Sequence, residues 1–194
     1  MLKYKKEIRR LKNEKNILTS TGFDNENIMN KFIELLNVDV KDAKVLFIIT
    51  AANNPDAVRI LLGCLDDLIK CGITDNNITI YDMHKLISQE EINKYDTIYV
   101  CGGSTKYLVD RIKELNIKPV IDEYIEDGGI YIGVSASSVC ASGEYKDGLG
   151  FIENKLNVHC DKGTPNGIIN FNDDIYLTDN QAIFIDEIDK IIFE

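Results

Sequence analysis

The sequence predicts an α/β fold, a three-layer sandwich in which helices cover both faces of a mostly parallel sheet. Three observations carry this expectation. Strand-length apolar runs alternate with helical patterns through most of the chain, the order that builds crossover connections between parallel strands. Runs such as residues 44–50 (KVLFIIT) are apolar throughout, which suits a strand buried on both faces. Glycine pairs at 102–103 and 128–129 punctuate the boundaries between elements.

The elements follow in order. Residues 3–15 (KYKKEIRRLKNEK) are basic and helix-prone, with Ile8 and Leu11 three apart. They read as a solvated N-terminal extension over residues 1–15, ahead of a single domain over 16–194. Residues 16–20 read as a first strand. Residues 24–36 read as a helix with Ile28, Phe32, Leu35 and Leu36 at helical spacing and Asp24 as its N-cap. After the apolar strand 44–50, residues 56–70 form a second helix. Val58, Leu61, Leu62, Leu65 and Ile69 are expected to face inward, and Cys71-Gly72 closes the helix. Strands are expected at 77–81 and 97–100, helices at 105–115 and 119–126, and a strand at 130–134. A helix-compatible segment, 136–141, follows that strand directly. Beyond it short strand candidates dominate, including 175–178 and 182–185.

Composition limits the function. The chain has 194 residues, 44% of them hydrophobic and 28% charged, ordinary values for one globular domain with a sizeable core. The net charge of −10 disfavours a nucleic-acid partner or an anionic membrane surface. No apolar run is long enough to span a bilayer, and the basic N-terminus lacks the apolar core of a secretory signal. The five cysteines, at 64, 71, 101, 140 and 160, make an odd set without a C-x-x-C pair or zinc spacing. They read as reduced, mostly buried thiols in a cytoplasmic protein without a metal site. A small doubly wound domain often pairs through an edge strand or helix face, so a homodimer is the favoured assembly.

The chemistry is expected at the carboxyl ends of the strands. Residues 128–138 (GGIYIGVSASS) carry an apolar run into a tight turn centred on Ser135. A serine on a sharp strand-to-helix turn has its hydroxyl pushed clear of the sheet, above the free N–H groups of a helix start. Small neighbours are needed there, and Gly133 and Ser137 supply them. The second strand end is Cys101-Gly102-Gly103-Ser104-Thr105, whose backbone can approach a ligand closely and offer N–H groups to a developing oxyanion. A serine nucleophile needs a base. The chain has two histidines, His159 downstream of the turn and His84 upstream, and His159 is the preferred candidate. A carboxylate should orient the imidazole. Glu144, Asp147 and Asp161 are candidates that spacing does not separate.

Together these segments resemble peptidase family S51, the dipeptidase E and cyanophycinase group. Leu18-Thr19-Ser20-Thr21-Gly22-Phe23 resembles the family's first strand and loop, and residues 45–52 (VLFIITAA) its second strand. Val100-Cys101-Gly102-Gly103-Ser104-Thr105 is similar to its Gly-Gly-Asn-Thr turn, with Ser104 in the asparagine place. Gly133-Val134-Ser135-Ala136-Ser137-Ser138 resembles Gly-x-Ser-Ala-Gly-Ala. Gly148-Leu149-Gly150 and His159 match the segment bearing the family's histidine, and Leu177-Thr178-Asp179-Asn180-Gln181-Ala182 is similar to a late strand.

The resemblance implies a class I glutamine amidotransferase-like sandwich and a serine hydrolase that uses no metal or cofactor. Its substrates would be short peptides, among them dipeptides with an N-terminal aspartate, or the polymer cyanophycin. Ser135 would be the nucleophile, His159 its base, and Gly103 and Ala136 the oxyanion donors. Three departures stand out. Ser137 replaces a glycine of the elbow. The stretch between serine and histidine is shorter than in dipeptidase E, so Glu144 and Asp147 fall only near the place of the acidic member. The stretch after His159 is short as well. The alternative expectation is therefore a homologue that keeps the fold as a binding or regulatory module. A cysteine-dependent amidotransferase fits less well, because the elbow holds serine and Cys101 and Cys140 lie off it.

Overall fold

The computed structural model describes residues 14–55, 57–170 and 173–194. The basic extension expected at 1–15 falls outside the described residues except for Glu14 and Lys15, and Lys15 already opens the first strand. The elements in chain order are β1 (Lys15–Thr19), α1 (Glu26–Leu35), β2 (Val45–Ile48), α2 (Ala57–Lys70), β3 (Ile78–Tyr81), α3 (Gln89–Ile92), β4 (Thr97–Val100), α4 (Thr105–Leu115), α5 (Lys118–Glu126), β5 (Ile130–Val134) and α6 (Ala136–Cys140). Five short strands follow: β6 (Leu156–Asn157), β7 (Gly167–Ile168), β8 (Ile175–Tyr176), β9 (Ala182–Ile185) and β10 (Lys190–Phe193).

Eight strands form one sheet in the order β3-β2-β4-β5-β1-β9-β10-β7. The five from β3 to β1 run parallel. The last three join antiparallel. Strands β6 and β8 make a separate parallel pair.

The inner parallel strands β2, β4 and β5 are buried on both sides because each side has a helix layer to meet. Ile17, Ile132, Tyr99 and Phe47 stand side by side in register across β1, β5, β4 and β2. They pack with Phe32 of α1 and Leu68 of α2. The alternate residues Leu18, Tyr131, Ile98 and Leu46 face Leu108 and Ile112 of α4 and Ile121 and Ile125 of α5. Full burial of such side chains contributes about 1.5–3 kcal/mol each, so both layers hold the sheet strongly.

Two local expectations are corrected. The N-cap of α1 is Asn25, whose side chain accepts from the Asn27 N–H, and Asp24 is exposed. In α2 the inward residues are Ala57, Cys64, Asp67 and Leu68. Val58, Leu62 and Ile69 instead stay 50%, 59% and 43% exposed. Residues 57, 61, 64 and 68 and residues 58, 62, 65 and 69 have the same helical spacing, so periodicity could not choose between the two stripes. The polar Asp67 on the inward stripe hid the correct one.

Candidate active site

Strand order decides what can meet at the carboxyl end of the sheet. β5 lies between β4 and β1, so Ser135, at the end of β5, has Gly102 on one side and the residues after Thr19 on the other. Ser135 adopts φ 51 and ψ −108, a conformation that L-residues avoid and that costs about 1–3 kcal/mol. Neighbours hold it there. Its N–H donates to the Thr19 carbonyl at 2.9 Å, and its carbonyl accepts from the Val139 N–H at 3.0 Å. The turn requires small flanks. A Cβ on Gly133 would lie 3.1 Å from the Ser138 nitrogen, and one on Gly102 would lie 3.3 Å from the Ser135 Cβ.

Ser137, the departure from glycine, sits in this elbow without strain on its hydrogen bonding. Its buried hydroxyl accepts from the Val134 N–H at 2.6 Å and lies 2.6 Å from the Val100 carbonyl and 3.0 Å from that of Val134. The side chain therefore ties the elbow to β4 and β5.

His159 closes on Ser135 from the opposite side. Its Nε2 lies 2.8 Å from the Ser135 Oγ. The backbone bonds Cys160 N–H to Leu177 carbonyl (3.0 Å) and Leu177 N–H to Asn157 carbonyl (2.8 Å) stitch its segment to the strand β8 enters. The imidazole Nδ1 lies 2.7 Å from Asp179 Oδ1. That carboxylate fixes the tautomer: Nδ1–H donates to Asp179 and Nε2 is left as an acceptor facing the Ser135 hydroxyl. Asp179 lies in the turn between β8 and β9, closed by the Gln181 N–H on the Thr178 carbonyl at 3.1 Å. The side chains of His159 and Asp179 are 49% and 62% exposed, so water screens the pair.

The expected acidic partners are placed elsewhere. Glu144 lies 4.0 Å from Lys155. Asp147 pairs with Lys113 at 2.8 Å. Asp161 is exposed. The carboxylate on the imidazole comes instead from Asp179, in the segment similar to a late strand of the family and well past Asp161. Its one sequence signal was a polar Thr-Asp-Asn-Gln turn between two apolar strands.

Ser20, next to the end of β1, also reaches the pair, and nothing in its local sequence marks it. His84 pairs with Asp82 at 2.5 Å beyond β3, and β2 and β4 lie between that strand and β5.

The glycine turn is set against β2. Gly103 has φ 137, and a Cβ there would come within 2.1 Å of the Ala51 carbonyl oxygen, so only glycine fits. The Ser104 N–H donates to that carbonyl at 2.8 Å, and its hydroxyl caps α4 by accepting from the Tyr107 N–H at 3.3 Å. Ala136 is the first residue of α6, immediately after Ser135.

Two of the five cysteines, near the elbow, are buried as neutral thiols. Cys101 and Cys140 are fully buried, and burial pushes both up to about 12, leaving them protonated at neutral pH. Among the described residues no group of three or more His, Cys, Asp or Glu side chains is arranged to hold a metal ion. No helix among them is long and apolar enough to cross a membrane.

Comparison with known proteins agrees with this architecture. The family model of peptidase family S51 matches residues 17–149. A crystal structure of a candidate peptidase E protein from Listeria monocytogenes EGD-e superposes with a TM-score of 0.72 at 23% identity, covering 93% of this chain and 98% of that one. A peptidase from an acI-B1 Actinobacterium superposes with a TM-score of 0.60 at 17% identity, over 89% of this chain and 83% of the other. At these identities the likeness is one of fold. No curated protein matches the chain.

Proposed function

The chain belongs to peptidase family S51, and from that premise we propose that it is a serine-type peptidase acting on short peptides. The observation that carries the reading is one line of contacts: Ser135 Oγ to His159 Nε2 at 2.8 Å, and His159 Nδ1 to Asp179 at 2.7 Å. In this reading Ser135 Oγ attacks the peptide carbonyl carbon while His159 Nε2 takes its proton. The carbonyl oxygen becomes an oxyanion facing the backbone N–H groups of Gly103 and Ala136. The C–N bond then breaks, and His159 returns the proton to the leaving amine. Water, deprotonated in turn by His159, releases the acid and restores Ser135. Asp179 stays ionised throughout and stabilises the imidazolium.

A preference for an N-terminal aspartate would need a cation near Ser135. Lys106 and Arg111, on the helix after the glycine turn, are engaged elsewhere. Lys106 pairs with Asp110 at 2.7 Å. Arg111 pairs with Glu114 at 2.5 Å and donates to the Met83 carbonyl. We therefore assign short peptides as the class, with N-terminal aspartyl dipeptides as one member to test.

The test is a panel of dipeptides and tripeptides varied at the first residue, run beside labelling by a fluorophosphonate probe. Cleavage and labelling are expected in the wild type, and both should vanish in Ser135→Ala. A folded wild type that neither cleaves nor labels would overturn the proposal and leave the family fold acting as a binding or regulatory module.

A further inference from the structure

We infer that Ser20, with Thr21 beside it, is a positioning residue that holds the His159–Asp179 pair in register with Ser135. The inference rests on the peptidase reading above. Ser20 is fully buried, yet its hydroxyl reaches both partners. It accepts from the His159 backbone N–H at 2.8 Å and lies 3.1 Å from Asp179 Oδ1. The proton assignment is forced. The His159 amide can only donate, so the hydroxyl proton goes to the carboxylate. The imidazole Nδ1, 3.3 Å from the same oxygen, keeps its own proton for Asp179. Thr21 completes the clamp by donating from Oγ1 to the Asp179 carbonyl at 2.7 Å.

The pair needs such a clamp. Burial commonly fixes a carboxylate–imidazole couple, but here the side chains are 49% and 62% exposed. His159 also has φ 58, a left-handed conformation that must be held from outside. The bond from its N–H to Ser20 is a direct restraint on that backbone.

The clamp has a firm base. Thr19, Ser20 and Thr21 are consecutive, and between them they touch all three members: the Thr19 carbonyl takes the Ser135 N–H at 2.9 Å, Ser20 takes His159, and both Ser20 and Thr21 take Asp179. Thr19 is the last residue of a central strand. Just beyond, the Gly22 N–H donates to Thr19 Oγ1 at 2.9 Å. The Phe23 N–H donates to the buried Asp67 carboxylate at 2.9 Å. The segment is thus anchored at both ends, and its two hydroxyls project toward the pair.

The test uses the full chain with Ser20→Ala, Thr21→Val and Thr21→Ser. Two readouts are followed: the second-order rate of fluorophosphonate labelling at Ser135, and the NMR signal of the His159 Nδ1–H proton, which reports its hydrogen bond to Asp179, with the His84 ring as internal control. Loss of one hydrogen bond to a charged group predicts about a tenfold slower labelling in Ser20→Ala. The His159 Nδ1–H signal should weaken or shift, because a carboxylate free to turn away no longer holds that proton. The His84 ring signals should not move. Thr21→Val should slow labelling severalfold, while Thr21→Ser, which keeps the hydroxyl, should match the wild type.

Folded Ser20→Ala with labelling and a His159 Nδ1–H signal indistinguishable from wild type overturns the inference. If Ser20→Ala does not fold, the Thr21 pair decides: equal labelling and Nδ1–H signals in Thr21→Val and Thr21→Ser overturn it. If the wild type is never labelled, the peptidase reading fails alone, and a changed Nδ1–H signal in either variant still supports the clamp.

Discussion

Replacing Asp179 by asparagine separates the charge of the carboxylate from its geometry. The asparagine Oδ1 can accept from both donors that now reach Asp179 Oδ1, the imidazole Nδ1–H at 2.7 Å and Ser20 at 3.1 Å, so the histidine tautomer can survive. What disappears is the negative charge that stabilises the imidazolium. Where the asparagine instead turns its amide N–H toward the imidazole and selects the wrong tautomer, as in a well-studied serine protease, the change costs about 10⁴ in turnover. Here the side chains are 49% and 62% exposed, so the effective dielectric lies between the protein-surface and bulk-water limits. At about 4 Å between charge centres those limits give roughly 4 and 1 kcal/mol. A middle value of about 2 kcal/mol corresponds to a thirtyfold or so slower reaction, since about 1.4 kcal/mol is tenfold. The assay is the second-order rate of fluorophosphonate labelling at Ser135, followed by mass spectrometry. The advantage of wild type over variant should also shrink as salt is added, because exposed charges are screened. A change below twofold would show that Asp179 does not serve the imidazole. A loss near 10⁴, insensitive to salt, would refute the screening argument.

Three further predictions concern the scaffold of the site. Gly103→Ala combines a left-handed φ of 137 with a Cβ placed 2.1 Å from a backbone carbonyl oxygen, so it should destabilise the fold by about 2–4 kcal/mol; an unchanged urea midpoint would contradict the steric reading. Ser137→Ala leaves the buried Val134 N–H without the hydroxyl it donates to at 2.6 Å and should cost about 1–3 kcal/mol. Stability equal to wild type in chemical denaturation would mean that another acceptor takes over. Asp67 is held above the usual carboxylate range by burial, against the opposing hydrogen bonds of Phe23 and Tyr99. The folded protein then binds this proton more tightly than the unfolded chain, whose carboxylate titrates near 3.9. Stability from this group is thus fully present below that value and lost as pH rises through the raised native pKa. Asp67→Asn should flatten that slope in urea unfolding across the acid range, and an unaltered slope would rule Asp67 out as its source.

The sheet was legible because its strands advertise themselves. Residues 44–50 and 130–134 are apolar on both faces, and both stand within the parallel part of the sheet. The elbow was legible too, because the small residues around Ser135 are demanded by a local close approach. What could not be read were contacts created by strand order. Ser20 meets His159 only because β1 lies beside β5, and Asp179 arrives only because β9 pairs antiparallel with β1. The short-range signals around those two residues are those of ordinary polar turns. The carboxylate at the imidazole is hidden for the same reason: Glu144, Asp147 and Asp161 all lie nearer to His159 in the chain, while the late turn brings Asp179 to the imidazole from twenty positions beyond it. Ser137 illustrates the converse. By sequence it is a departure from the glycine of the family pattern, and its hydroxyl bonds to backbone groups that the elbow already presents.

Ser135 and His159 are both non-glycine residues at positive φ, 51 and 58, and they face each other across a 2.8 Å contact. Strain of that kind should be measurable as stability withheld from the fold. At an ordinary position glycine is less stable than alanine by about 0.5–1 kcal/mol, because it loses more freedom on folding. At Ser135 the order should reverse. Alanine keeps the Cβ that makes φ 51 and ψ −108 unfavourable, whereas glycine adopts that conformation freely. Relief of about 1–3 kcal/mol of strain exceeds the entropic penalty, so Ser135→Gly should unfold at a higher urea concentration than Ser135→Ala. Neither variant should react with the fluorophosphonate probe. Both lack the hydroxyl, so its hydrogen bond to His159 cancels from the comparison and the backbone alone is tested. If the alanine variant proves as stable as the glycine variant, the elbow is not strained. The exposure of the Ser135 hydroxyl would then owe nothing to a backbone held away from its preferred conformation.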